Sequence, residues 1–205
     1  NFELILIDNN STDNSISLAS NFLKNVTFGY KILYESRKGV HFARNCGLKT
    51  ATGKFICFLD VDDRLTADSI QARVHALCSD DVHLVYSCYQ RVNTDTCITV
   101  NEKPPTKLDL KILLKKNYIG NLTGMYDRSE LGLFLQNDMG HEDYDMWIRI
   151  MKKAKRAICI PDYYLGVYSV HMNSLSANKI RSSRWQYKVI KKHVNHPLMR
   201  LFYMC

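Results

Sequence analysis

The chain has 205 residues, 46% hydrophobic and 23% charged, a balance that can bury a core and excludes disorder. Its net charge of +8 is uneven: Lys179, Arg181, Arg184, Lys188, Lys191, Lys192 and Arg200 follow His171 without one acid, so the body is nearly neutral and a basic nucleic-acid face is excluded. Seven scattered cysteines without a C-x-x-C pair exclude a zinc ribbon and imply a reduced, cytoplasmic chain, and no apolar run reaches the roughly 18 residues of a membrane span.

Phe2-Glu3-Leu4-Ile5-Leu6-Ile7 is a near-continuous apolar run, the pattern of a strand covered on both faces. It begins directly behind Asn1 with no signal peptide, so a chain that lacks its opening strand is expected. Ser11 or Thr12 caps a helix with Ile16, Leu18, Ala19, Phe22 and Leu23 on one stripe. A strand at 30–34 follows, then a helix at 40–51 that stops at Gly53 in a left-handed cap. The most apolar strand, 55–59, ends abruptly in Asp60-Val61-Asp62-Asp63. A helix at 66–78 and a strand at 83–90 complete a β-α-β-α-β-α-β order. That order predicts a doubly wound α/β sheet, whose ligands bind beyond the carboxyl ends of strands.

The second half predicts a hairpin from 96–100 onto 83–90, a helix near 108–115 behind Pro104-Pro105, and a strand at 121–126. A helix at 143–153 carries Met146, Trp147 and Ile150 on one stripe, and strands at 157–160 and 164–168 precede the basic tail. Pro197 predicts a tail helix to about His196 and then a looser apolar end. Trp185, Val189, Leu198, Leu201, Phe202 and Tyr203 among the cations suit an anionic membrane surface, against the plainer expectation of apolar packing on the sheet beneath solvated charges.

The sharpest feature is the Asp tetrad. In an extended chain residues i and i+2 point to one side, so Asp60 and Asp62 can aim at one cation, and hard carboxylate oxygens suit Mg²⁺ or Mn²⁺. The plainer reading is a turn with an Asx cap before the next helix. Strand-Asp-x-Asp also resembles the haloacid dehalogenase-type phosphatases, whose first Asp is a nucleophile. Here Arg64 stands where that family has Thr, and no later strand ends in paired acids.

Read in order, the strand 2–7 with Asp8-Asn9-Asn10-Ser11-Thr12-Asp13, then Gly39 to Gly47 with Ala43-Arg44-Asn45, then Ala51 to Asp63 resemble the inverting family-two glycosyltransferases of GT-A fold. Glu142-Asp143-x-Asp145-x-Trp147-x-Arg149 is similar to that family's Glu-Asp segment, and Tyr168-x-x-His171-x-x-Ser174-x-Ser176 to its closing motif. The resemblance implies a GT-A catalytic domain over residues 1–176 lacking its first strand, with 177–205 as a basic amphipathic tail. It implies nucleotide-sugar contacts from Asp8, Asn9, Arg44, Asp60 and Glu142, and a divalent metal held by Asp62, Asp63 and His171. Asp143 is the implied general base. Two positions depart from the family: Asn9 where a second Asp is common, and Tyr168-Ser169 where a Tyr-Arg pair is common.

The implied chemistry moves a sugar from a nucleotide-sugar donor to a hydroxyl of a glycan or lipid-linked acceptor, with inversion, in polysaccharide or glycolipid assembly. A diphosphate leaving group calls for charge neutralisation and the attacking hydroxyl for a carboxylate within hydrogen-bond reach. Expected localisation is cytoplasmic, peripheral on the inner face of the membrane, with donor and acceptor choice in the loops 117–125 and 136–141. The alternatives are the phosphatase and a non-catalytic, truncated remnant.

Overall fold

The computed structural model describes residues 1–79, 81–171 and 179–204. β1 (Glu3–Asp8) and β2 (Gly29–Tyr34) pair in parallel from Glu3↔Gly29 to Asp8↔Tyr34, and α1 (Ser15–Leu23) makes the crossover that parallel strands require. α1 starts later than the Ser11/Thr12 cap implied. Asp8 Oδ1 takes the Ser11 N–H, and Asn10 sits at φ 63°, so the chain turns once more before the helix.

α2 (Val40–Thr50) springs from Gly39 at φ 142°. Its end corrects the expected glycine cap. Gly53 has no positive φ, and the Glu3 carboxylate instead accepts from Thr52 N (2.6 Å), Thr52 Oγ1 (2.8 Å) and Gly53 N (2.9 Å). The Thr52 donors hold the Glu3 carboxyl down at about 2 and fasten the first strand to the turn before the third.

β3 (Phe55–Cys57) is shorter than the apolar run, because Phe58 leaves the sheet to meet Trp147 edge-on at 6.1 Å. β4 (Arg64–Leu65), α3 (Ser69–Ser79) and β5 (Leu84–Asn93) follow. Next come β6 (Thr99–Glu102), the predicted hairpin partner of β5, then β7 (Lys107–Leu108) and α4 (Leu110–Lys115), whose cap Asp109 accepts from Ile112 N–H. The expected strand 121–126 contracts to β8 (Met125–Asp127), since Thr123 and Gly124 donate back to Gly120 O in a turn. Gly124 is required there: a Cβ would lie 2.6 Å from the Trp147 ring. α5 (Arg128–Leu131) and α6 (Glu142–Ala154) lead to β9 (Ala157–Val170). β9 is one strand, not two, with residues 161–163 looped out between the pairs Ser87↔Ile160 and Cys88↔Tyr164.

The main sheet runs β3-β8-β5-β9-β4, with β8 antiparallel between β3 and β5 and with β5 parallel to β9, so the doubly wound expectation holds as a mixed sheet. Leu84, Tyr86, Tyr126, Tyr144, Trp147 and Ile148 form its fully buried centre. Cys88 and Cys159 face each other there with Sγ atoms 4.0 Å apart, and all six described cysteines are free thiols.

α7 (Lys179–His193) and α8 (Pro197–Met204) correct the looser end. Proline at the first helical position gives up no needed hydrogen bond, so Pro197 starts a helix rather than ending order. Val189, Ile190 and Tyr203 pack into the main core, while Ile180, Leu198, Leu201 and Phe202 stay exposed. Among the described residues no helix is long and apolar enough to cross a membrane.

Candidate active site

The tetrad forms a turn at the carboxyl end of β3, closed by Asp63 N–H to Asp60 O at 3.0 Å. Its carboxylates have three different fates. Arg44 Nη2 grips both Asp60 oxygens at 2.7 and 2.6 Å. Asp63 turns inward, 8% exposed, and accepts the Ser169 N–H at 3.0 Å. Burial, with Asp62 and Asp60 adding to it, pushes the Asp63 carboxyl up to about 6. Asp62 is exposed and makes no hydrogen bond or ion pair with another described residue. Of the expected metal ligands, then, Asp62 faces outward and Asp63 braces β9.

The register Arg64↔Val167 and Leu65↔Gly166 runs the tetrad alongside the end of β9 that leads to His171. His171 Nδ1 lies 2.6 Å from Thr94 Oγ1. Ser174 and Ser176 of the closing motif lie outside the described residues.

Glu142, Asp143 and Asp145 occupy the first turn of α6, where the helix dipole favours negative charge. Asp143 Oδ2 accepts from Asn117 Nδ2 at 3.0 Å, and Glu142 Oε1 from Gly140 N–H at 3.2 Å. Asp145 is fully buried among Asn137 Nδ2 (2.6 Å), Arg149 Nε (2.9 Å), Lys192 Nζ (2.8 Å) and His193 Nε2 (2.8 Å). Burial opposes its charge, but His193, Lys192 and Asn137 hold its carboxyl far below the usual range. Asp145 therefore ties α7 to α6.

α2 brackets the two acidic runs. Asn45 exchanges two hydrogen bonds with the backbone of Gln136, at 2.7 and 2.9 Å, which fixes the loop before Glu142. Burial works against the Arg44 charge, yet Asp60, and beyond it Asp143 and Glu142, raise its pKa, so one guanidinium sits in the field of both runs. That juxtaposition depends on side-chain pairing across 91 or 92 positions and left no trace in the sequence pattern beyond Ala43-Arg44-Asn45 itself.

At the end of β1, Asp8 Oδ1 accepts the Ser11 N–H. The Asn9 amide is spent: Nδ2 donates to Glu35 O (2.7 Å) and Arg37 O (2.8 Å), and Oδ1 accepts Gly39 N–H (2.9 Å). Asn9 thus braces the loop that launches α2. A group that spacing did not suggest is His41, Asp138 and Glu142, which bring an imidazole nitrogen and two carboxylate oxygens within 4.8 Å of one another, an arrangement able to take a cation.

Residues 1–132 match the family model described as Glycosyl transferase family 2. The chain belongs to that family. Family-2 relatives cover nearly all of it. Two curated proteins of Escherichia coli, the UDP-Glc:alpha-D-GlcNAc-diphosphoundecaprenol beta-1,3-glucosyltransferases WfgD and WfaP, are 30% and 31% identical over 208 residues. They match 100% and 99% of this chain, which spans 79% and 80% of theirs. The fold is that of solved GT-A relatives. TarS of S. aureus, crystallised with UDP-GlcNAc, gives a TM-score of 0.73 at 18% identity over 98% of this chain. The mannosyltransferase PcManGT of Pyrobaculum calidifontis, solved with GDP-Man and Mn2+, gives 0.70 at 20% identity and 98% coverage. The chain spans 60% of the length of each solved relative. Family-2 membership displaces the phosphatase alternative.

Proposed function

We propose that this chain transfers a hexosyl group from a nucleotide-sugar donor to a hydroxyl of a lipid-linked acceptor, inverting the anomeric carbon in a single displacement. The observation that carries the reading is Arg44, set between the Asp60–Asp63 turn and the Glu142–Asp143 helix start, so that leaving-group and attacking-group chemistries share one cleft. Asp62, exposed and without a partner among the described residues, offers hard oxygens beside Asp60 and would hold Mg²⁺ or Mn²⁺. When bound, that ion supplies neutralisation of the donor diphosphate. His171 is the proposed further contact to that charge, and Asp8 a contact to the nucleoside.

Asp143, in the first turn of α6 and oriented by Asn117, takes the proton of the acceptor hydroxyl as that oxygen attacks. Inversion requires no covalent intermediate and no second carboxylate nucleophile. Family-2 membership and the two glucosyltransferases, named for a diphosphoundecaprenol-linked acceptor, support the acceptor class. A cytoplasmic membrane face, with anionic lipid against α7 and α8, is the setting proposed for that chemistry.

Calorimetry of UDP and GDP with and without Mn²⁺ tests this reading. The chain is expected to bind one of them in a metal-dependent way, and Asp62→Ala to abolish the metal dependence. No nucleotide binding, or unchanged metal dependence in Asp62→Ala, would return the tetrad to a simple turn.

A further inference from the structure

α7 lies directly over the loop that leads to Asp143. Gly140, at φ 88°, lets the Trp185 ring approach so closely that a Cβ at this position would sit 2.3 Å from it. His141 adds a second tie, with Nε2 3.1 Å from Ser182 Oγ and its ring edge-on to Trp185 at 5.6 Å. Two grooves run along α7, the first of them bordering Trp185. One, of about 440 Å³, is lined by Ile180, Arg184, Trp185 and Lys188 together with Arg181. The other, of about 510 Å³, is lined by Tyr187, Leu201 and Met204 as well as Ser183. Arg184 and Lys188 belong to both grooves.

These two cations stand at i and i+4, on one face of the helix and about one turn, some 5.4 Å, apart. Neither makes an ion pair with a described residue, and no acid occurs after residue 171 to offer one. Beyond them the surface is apolar and open: Leu201 is 62% exposed and Tyr187 42%. Large apolar side chains left in water beside unpaired cations fit an amphiphile whose anionic group is followed by a hydrocarbon chain. Along the surface the contact of Trp185 with the loop before α6 is followed by two cations and then an apolar trough.

We propose that this path seats a polyprenyl-type diphosphate acceptor, a deepening that rests on the glycosyltransferase reading above. The acceptor sugar lies toward the Gly140–His141 loop, with its hydroxyl toward Asp143. The diphosphate lies on Arg184 and Lys188, where a guanidinium can meet two phosphate oxygens at once. The first isoprenoid units run over Tyr187, Leu201 and Met204. The path offers contacts to both halves of such a ligand, cations for the diphosphate and an apolar trough for the hydrocarbon.

The test titrates the full 205-residue chain with farnesyl diphosphate, inorganic pyrophosphate and farnesol, and sediments it with phosphatidylglycerol and phosphatidylcholine vesicles. Farnesyl diphosphate is expected to bind at least about tenfold more tightly than either half alone. Arg184→Gln with Lys188→Gln should remove that advantage, and Leu201→Ser should reduce binding to the level of pyrophosphate. Melting midpoints and Mn²⁺-dependent UDP binding should stay unchanged in both variants, because neither site touches the tetrad. Farnesyl diphosphate binding that is no tighter than pyrophosphate, or that survives Arg184→Gln/Lys188→Gln, overturns the path. Sedimentation with phosphatidylglycerol vesicles without a response to farnesyl diphosphate also overturns it and leaves a general lipid contact. UDP read on the same samples judges the donor reading separately, since its loss would leave isoprenyl diphosphate binding standing.

Discussion

The two acidic runs are built on one plan with opposite electrostatics. In each, a buried carboxylate anchors neighbouring structure beside a more exposed acid: Asp63 with Asp62 at the turn, Asp145 with Asp143 on the helix. Asp145 gathers four side-chain donors and stays ionised against burial. Asp63 has one backbone N–H and two neighbouring acids, so burial prevails and its carboxyl is pushed up. The difference teaches that proximity in an acidic run does not imply shared work. The number of donors around each buried carboxylate, four at Asp145 and one at Asp63, decides whether burial prevails over its charge.

That division can be broken by experiment. Asp143→Asn should lower turnover about 10²–10⁴-fold while donor binding persists, because a base acts only as the transition state develops. Single-turnover kinetics with a bound donor measures it, and retention of more than a tenth of wild-type rate would make Asp143 a second anchor. Asp145→Ala should instead cost about 3–5 kcal/mol of stability, the usual result of removing one partner from a buried ion network. Its pH signature follows from the depressed carboxyl. The stabilisation is complete above the unfolded-chain value of about 3.9 and disappears as pH falls through and below it, so urea midpoints of the wild type should drop there and those of Asp145→Ala should be flatter.

Arg44→Lys keeps the charge but loses the grip on both Asp60 oxygens, and should weaken donor binding by about tenfold with little change in melting. Calorimetry would read it, and an unchanged affinity would remove Arg44 from the cleft's architecture. The smallest effect expected is from Asp63→Asn. A carboxyl raised to about 6 binds protons better in the folded chain than in the unfolded one, so its contribution is greatest below about 4 and is lost as pH rises toward 6. Asparagine keeps an oxygen for the Ser169 N–H and removes the buried charge. Metal-free urea unfolding at pH 7 should show a gain of about 1 kcal/mol, opposite in sign to Asp145→Ala.

Much of this was legible before the structure. The alternation of 2–7, 30–34, 55–59 and 83–90 with helical stripes gave the α/β class, because strand and helix periods are local properties of the chain. The tetrad and the Glu142–Asp143 segment were visible as acids clustered at element ends. What stayed hidden was long-range polar pairing, which has no period: Glu3 under Thr52 and Gly53, Asn45 on Gln136, Arg44 on Asp60, Asn9 on the 35–39 loop. The tail supported both expectations held for it. Its charge pattern signalled an exposed face, while Val189, Ile190 and Tyr203 on the other side of the same helices belong to the core.

The thiol pair at the middle of the sheet has a practical corollary. Cys88 and Cys159 sit on β5 and β9, and burial, with the facing sulfur, pushes the Cys159 thiol up to about 12. Both sulfurs are buried, so a reagent reaches them only when the two strands part. Cys78 and Cys97 are exposed and will be modified first. Once these and the half-buried Cys46 and Cys57 are blocked, slow uptake of a second label mapped to Cys88 and Cys159 counts the occasions on which β5 and β9 come apart. The native chain thus carries an intrinsic chemical record of the opening of its central strand pair, without an engineered probe.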